Sequence, residues 1–210
     1  MNKKMSKSGL GIVLSKLKKF ENPEVRAEQY PMDSEIGAEV LWNAFLMGDI
    51  KGKVIVDLGC GTGILGIGAL FLGAKRVFLV DNDENALKIA KNNLFLAKSE
   101  SSFRKKGVFL EKDVKEFREK CDVVLQNPPF GVKSKGADKA FLEAAFRITK
   151  VVYSFHKLNT QEFIENFAES EGFNVTHLWR FDFPIKSSMF FHKKRIYRFK
   201  VGCWRFVKGD

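Results

Sequence analysis

The chain has 210 residues, 45% of them apolar and 29% charged, and carries a formal net charge of +11. This length suits a single domain, which at such a size buries roughly 70% of the surface of its unfolded chain, and the composition excludes a mainly disordered or fibrous protein. No apolar run reaches the roughly 18 residues of a membrane span, and lysines break the short apolar patch at residues 9–14, so neither a spanning helix nor a signal peptide is expected.

Residues 1–26 hold seven Lys/Arg against two Glu, and Leu10, Val13, Leu14, Leu17 and Phe20 recur at three- and four-residue spacing. This pattern predicts a basic N-terminal helical arm laid on a single domain over residues 27–210. After Pro31, the apolar face Ile36, Val40, Leu41, Ala44 and Phe45 predicts a helix over Ser34–Met47 with the acidic Glu35 in its first turn. Residues 53–58 (KVIVDL) read as a strand opening into a glycine loop, followed by a helix over Ile64–Leu72. Arg76–Val80 repeats the apolar run and ends at Asp81, with a helix predicted over Asn85–Ala97. Val108–Leu110 and Cys121–Leu125 give two more strands, each ending in a polar turn, EKDV and then QNPPF. A helix over Lys139–Ile148, a strand over Val151–Phe155 and a helix over Gln161–Ser170 come next. Asn174–Phe183 and Arg195–Phe206 then read as long alternating strands joined without a crossover helix. Alternating strands and helices imply an α/β sheet with crossover connections, and the last pair implies an antiparallel edge.

Charge and cysteines bound the partners. Residues 176–210 hold nine Lys/Arg against two Asp, so the basicity sits at the two ends of a nearly neutral body. Basic flanks suit a polyanion such as RNA; the solvated, Lys-rich surface of a heat-adapted protein fits the charge equally well. Cys60, Cys121 and Cys203 form no C-x-x-C pair and the three histidines are scattered, which points to a reducing cytoplasm and no metal site.

The glycine loop DLGCGTGILG also satisfies G-x-G-x-x-G through Gly61, Gly63 and Gly66, so a dinucleotide-dependent oxidoreductase has to be weighed. Asp57, two residues before the first glycine, argues against it, because a carboxylate repels a pyrophosphate but suits an ammonium group. Asp81, at the end of the second strand, can take both hydroxyls of a ribose, and Asp113, which ends the third, stands at the height of an adenine. Any one of these acids can be a helix cap or turn residue, but successive strand ends are where open α/β sheets bind ligands.

The turn Asn127-Pro128-Pro129-Phe130 is the most specific feature. Two prolines after a strand forbid both helix and continued ladder, so the turn is rigid by construction. A rigid loop beside a core phenylalanine would need no more than that. Chemically, an amine conjugated to a ring or carbonyl is a poor nucleophile. The Asn127 side-chain oxygen and the Pro128 carbonyl can each accept one of its hydrogens, and Phe130 can stack on the planar group, leaving the lone pair free for a methyl donor.

With these residues in view, the chain resembles the archaeal and eukaryotic methyltransferase-like family of S-adenosylmethionine-dependent N6-adenine small-subunit ribosomal RNA methyltransferases. The further matches are EQYPM at Glu28–Met32, KGAD and AFL after NPPFG, VVYSFHK at Val151–Lys157 and FFHKKR at Phe190–Arg195, so the resemblance runs from about Phe20 to Phe206. It implies a class I Rossmann-like fold with a seven-stranded, mostly parallel sheet and one antiparallel strand. It implies donor contacts at Gln29, Gly59, Thr62, Ile64, Asp81, Asp113 and Val114; Tyr30, Asp57, Gly61, Gly63 and Asn82 complete the expected donor site, and Asn127, Pro128, Pro129 and Phe130 form the expected catalytic turn. Met32 stands where the family usually has Thr, so a hydroxyl contact to the donor is absent or taken over by Ser34. The resemblance also implies a structured RNA substrate in the cytoplasm and a small zinc-binding activator protein that shields an apolar edge. Phe191, His192, Lys193 and Lys194 interleave rings and cations as a flipped nucleotide requires, although phenylalanines at this spacing also fit a strand in the core. Methylation of a guanine N2 amine or a protein glutamine amide uses the same turn. A non-catalytic RNA-binding module would be expected to have lost Asp81 or Asn127, and both are present.

Overall fold

The structure is a computed structural model and describes residues 5–20, 32–99, 106–129, 136–185 and 197–209. Helices α1 (Lys7–Ser15) and α2 (Ser34–Leu46) precede strand β1 (Val54–Leu58). There follow α3 (Ile64–Phe71), β2 (Arg76–Asp81), α4 (Glu84–Ser99), β3 (Gly107–Glu111) and β4 (Val123–Gln126). The second half holds α5 (Ala137–Ile148), β5 (Val151–Lys157), α6 (Gln161–Ser170), β6 (Phe173–Ile185) and β7 (Tyr197–Lys208).

The seven strands form one sheet in the order β3-β2-β1-β4-β5-β7-β6. Strands β1 to β5 pair in parallel, while β7 pairs antiparallel with both β5 and β6. The seven-stranded, mostly parallel architecture expected from the sequence is therefore present, with β7 as its one reversed strand. The expected antiparallel edge is present in the β6–β7 pair: β7 lies inside the sheet and β6, which runs parallel to β5, forms the edge. A hairpin needs no crossover helix, so β7 can turn back into the gap beside β5.

Strand parity divides the core into two faces, because successive side chains point to opposite sides. Ile55, Val77, Leu79, Val123 and Leu125 pack with α1, α2, α3 and α4. Val56, Leu58, Val80, Val124 and Val152 pack with α5 and α6. The sheet is thus covered on both faces, as a parallel sheet requires. At this point parity also allots the polar strand-end residues: Asp57 and Asp81 follow the first set, Gln126 the second.

The N-terminal helix is shorter than the basic pattern predicts. Ser6 caps it by accepting from the Gly9 amide at 3.1 Å, and it ends at Ser15. Leu10, Leu14 and Leu17 are nonetheless buried, so this segment is part of the body. Beyond the helix the backbone of Lys18 is held by Asn93 of α4, whose Oδ1 accepts from the Lys18 amide at 2.8 Å and whose Nδ2 donates to the Lys18 carbonyl at 2.9 Å. Asp33 caps α2 by accepting from the amides of Glu35 and Ile36. Met32 is buried in the core cluster, with its side chain against Gly37.

Candidate active site

The glycine loop lies between β1 and α3 and is clamped to β2. The amides of Gly59 and Cys60 both donate to the Val80 carbonyl, at 2.8 and 3.0 Å. Gly59 adopts φ +66°, and a Cβ there would come within 2.6 Å of the Phe141 ring, so both the backbone conformation and the neighbour demand glycine. Gly63 adopts φ +83° at the start of α3, where a Cβ would press on Ala90 and Leu79 at 3.1 Å. The loop is consequently a close-packed strip of backbone along the ends of β1 and β2.

Two carboxylates hold this strip from below. Asp57 is buried, and its Oδ2 accepts from the Gly66 amide in the first turn of α3 at 2.7 Å. Burial is the main cause that raises its pKa to about 7; the Gly66 bond opposes the shift and the nearby Asp81 charge adds to it. Asp81 accepts from the Gly61 amide through Oδ2 at 2.8 Å and from the Asp83 amide through Oδ1 at 3.0 Å. Burial raises its pKa too, against the pull of those amides. Because a carboxylate offers about four lone-pair sites, Asp81 keeps acceptor capacity for hydroxyl groups. Cys60, between the two acids, is no nucleophile: burial first, then the charges of Asp57 and Asp81, drives its thiol well above the usual range.

Asp113 lies two residues past the end of β3 rather than on it, exposed, with its Oδ1 accepting from the Lys115 amide at 2.8 Å. Val114 beside it is buried, as are Thr62 in the loop and Ile64 at the start of α3, and Asn82 is exposed. A buried carboxylate near neutrality, a second with spare acceptor sites and a turn beyond β3 fit a ligand carrying a cation, vicinal hydroxyls and a planar ring.

The Asn-Pro-Pro turn stands next to this strip. β4 pairs with β1 through Leu58 and Gln126, so Asn127 begins one residue beyond the register of Leu58, level with Gly59. Pro128 is buried and Pro129 half-buried. Among the described residues, two buried side-chain atoms have no hydrogen-bond partner: Asn127 Oδ1 and Gln126 Oε1. An orphaned acceptor is expensive in a folded protein, and here it falls on the side chain that the sequence marks as the acceptor of an amine hydrogen.

Of the expected site residues, Asp57, Gly59, Gly61, Thr62, Gly63, Ile64 and Asp81 come together in one bonded assembly. Asp113 and Val114 lie beyond β3, and Asn127 with its prolines beside the loop. Gln29, Tyr30, Phe130, Phe191, His192, Lys193 and Lys194 lie outside the described residues. Three neighbours of the site went unnoticed in the sequence. Asn93 is fully buried and donates to the Thr62 carbonyl at 2.9 Å as well as holding Lys18, so it ties the N-terminal segment to the glycine loop. Phe20 comes within 3.6 Å of where a Cβ on Gly61 would sit, and Phe141 covers Gly59. An asparagine on the apolar face of α4 was the available signal for the first; the two rings carry none apart from the fold.

A family model for ribosomal protein L11 methyltransferase (PrmA) matches residues 43–128, which run from α2 through the glycine loop to the first proline of the turn. An uncharacterised protein of Methanocaldococcus jannaschii is 35% identical over 97% of this chain and 95% of its own length. The rRNA N(6)-adenosine-methyltransferase METTL5 of Danio rerio is 34% identical over 90% of this chain and 92% of its own. A crystal structure from Pyrococcus horikoshii, provisionally described as an RNA methyltransferase, is 43% identical and superposes with a TM-score of 0.87 over 96% of this chain and 98% of that one.

Proposed function

This chain belongs to the METTL5 family of S-adenosylmethionine-dependent methyltransferases, and we propose that it methylates the exocyclic N6 amine of an adenine in RNA, specifically in small-subunit ribosomal RNA. The observation that carries the choice of adenine is the 34% identity, over 90% of this chain, to the rRNA N(6)-adenosine-methyltransferase METTL5 of Danio rerio; the buried Asn127 Oδ1, without a partner among the described residues and beside the glycine loop, supports methylation of an amine.

S-adenosylmethionine, when bound, supplies an electrophilic methyl group whose bonding pair departs with the sulfur. Asp57 would pair with the ammonium of the donor, Asp81 would accept from its ribose hydroxyls, and the turn at Asp113 and Val114 would take its adenine, with Asn82, Gln29 and Tyr30 as the further donor contacts that the family resemblance implies. Asn127 Oδ1 and the Pro128 carbonyl each accept one hydrogen of the substrate amine, which turns the nitrogen lone pair toward the methyl carbon; Pro129 keeps that carbonyl fixed and Phe130 stacks on the base. As the nitrogen–carbon bond forms, the nitrogen becomes cationic and acidic, and its proton passes to water. No side chain has to act as general base, so positioning supplies most of the rate.

Phe191, His192, Lys193 and Lys194 serve the flanking nucleotides of the extruded base. Charge reversal at Lys193 and Lys194 is expected to weaken RNA binding and flatten its salt dependence while leaving donor affinity unchanged. The L11 methyltransferase match covers the donor half and the first two residues of the turn, Asn127 and Pro128, and so does not choose between acceptors. A zinc-binding activator would meet this chain at an apolar edge; β3 is a terminal strand of the sheet, and Phe95 and Leu96 of the preceding α4 are exposed.

The reading is tested by incubating the protein with labelled donor and small-subunit ribosomal RNA and analysing the nucleosides. Label in N6-methyladenosine is expected; label in methylguanosine, or only in a protein glutamine, overturns it.

A further inference from the structure

Past Gln126, backbone pairing has little with which to hold the Asn-Pro-Pro turn. The last pairs of β4 are Leu58 with Gln126 and Gln126 with Ser154, and Pro128 and Pro129 have no N–H to extend the ladder. Side chains take over at that point. Gln126 Nε2 donates to Ser154 Oγ at 2.9 Å, and Ser154 Oγ lies 2.6 Å from His156 Nε2. The three residues are buried, and Ser154 and His156, two apart on β5, share the sheet face of Gln126. The His156 ring meets Trp204 of β7 edge-on at 5.8 Å, and Trp204 Nε1 donates to Glu165 Oε1 of α6 at 3.0 Å. A continuous polar and aromatic chain thus runs from the end of β4 across β5 and β7 to α6.

Stability does not account for this chain. Gln126 Oε1 has no partner, and a buried amide satisfied at one end only is worse for folding than an apolar side chain of the same shape. Departures from local rules of this kind are characteristic of functional sites. Burial also drives the His156 pKa down to about 3, so the ring stays neutral under working conditions and can accept the Ser154 proton in its bond.

We infer that Gln126, Ser154 and His156 form a positioning chain that clamps the end of β4 and so aims Asn127 at the acceptor amine. The inference rests on the role proposed above for Asn127. Its test compares Gln126→Met, Ser154→Ala and Ser154→Cys with the parent and with Asn127→Ala, measuring single-turnover methyl transfer to small-subunit ribosomal RNA, the KM for RNA, donor affinity and melting temperature. Gln126→Met and Ser154→Ala are expected to lower turnover about tenfold or more, since a small misplacement of a reacting group is enough for that. KM for RNA and donor affinity should stay within about twofold, the Gln126→Met melting temperature should equal or exceed that of the parent, and Ser154→Cys should recover part of the loss. Parental turnover in Gln126→Met and Ser154→Ala, alongside a strong loss in Asn127→Ala, overturns the positioning chain alone. Turnover that falls only in step with melting temperature also overturns it, by showing a structural role. Parental turnover in Asn127→Ala overturns instead the reading of the turn on which the inference depends.

Discussion

The two halves of the site differ in how completely their polar groups are engaged. On the donor side, Asp57 holds Gly66, Asp81 holds Gly61 and Asp83, Asp113 holds Lys115, and Asn93 makes three bonds at once. On the acceptor side, two of the turn's residues, Pro128 and Pro129, lack an N–H, and the side-chain oxygens of Gln126 and Asn127 have no partner among the described residues. The contrast is what the proposed roles of the two halves would require. A donor site recognises one molecule in its ground state and gains from being folded in advance. An acceptor site gains most from groups whose hydrogen bonds are completed by the substrate amine itself and strengthen as it becomes cationic.

The largest expected effect breaks the contrast from the acceptor side. Asn127→Ala should lower turnover by about 10²–10³ while donor affinity stays within a few-fold, as measured by single-turnover transfer and calorimetry. Asp81→Ala acts on the other half. It removes the acceptor for ribose hydroxyls and also frees the Gly61 amide, so donor affinity should fall by about 10–100-fold, a hydrogen bond to a charged group contributing about 1.5–3 kcal/mol.

Asp57 sharpens the contrast through pH. With its carboxyl near 7 in the free protein, the proposed pairing with the donor's ammonium would lower that pKa on binding. Affinity should therefore be full above pH 7 and weaken as pH falls below it, by at most about tenfold per unit. The stability sign is the opposite. The folded carboxyl binds its proton more tightly than the unfolded one, so the penalty of this group accrues as pH rises from about 4 to 7 and persists above. Asp57→Asn should melt a few degrees higher than the parent at pH 8 and show little change at pH 4, about 1 kcal/mol shifting a domain of this size by roughly 2–4 °C. Its donor affinity should nonetheless fall. The smallest effect is expected at Asn93→Leu, where the tie between Lys18 and Thr62 is lost: a few-fold weaker donor binding and a lower melting temperature, with turnover at saturating donor near parental.

Much of this was legible in the chain. Elements with strong periodicity, such as α2, α4 and β1, appear within one or two residues of their predicted bounds, because apolar spacing reports directly which face is buried. Asp57, Asp81 and the glycines could be found because a loop at a strand end constrains residue type locally. The N-terminal helix stopped at Ser15 although apolar spacing continues to Phe20, since Leu17 is buried and Lys18 is held in non-helical contacts with Asn93. That competition is tertiary and has no local signature. The same holds for Phe20 against Gly61, for Phe141 over Gly59 and for the Gln126–Ser154–His156 chain, each of which joins residues far apart in sequence. The place of β7 inside the sheet was equally hidden, because hairpin signals give the sense of a strand pair and not its side of insertion.

The most direct test of the contrast between the halves is a paired measurement on Asn127→Ala and Asp81→Ala, with donor affinity by calorimetry and single-turnover methyl transfer at saturating donor on the same preparations. Asn127→Ala should bind the donor like the parent and transfer its methyl group slowly, and Asp81→Ala should bind it weakly yet recover much of its transfer rate once saturated. Loss of donor binding in Asn127→Ala, or undiminished transfer by it, would contradict the account.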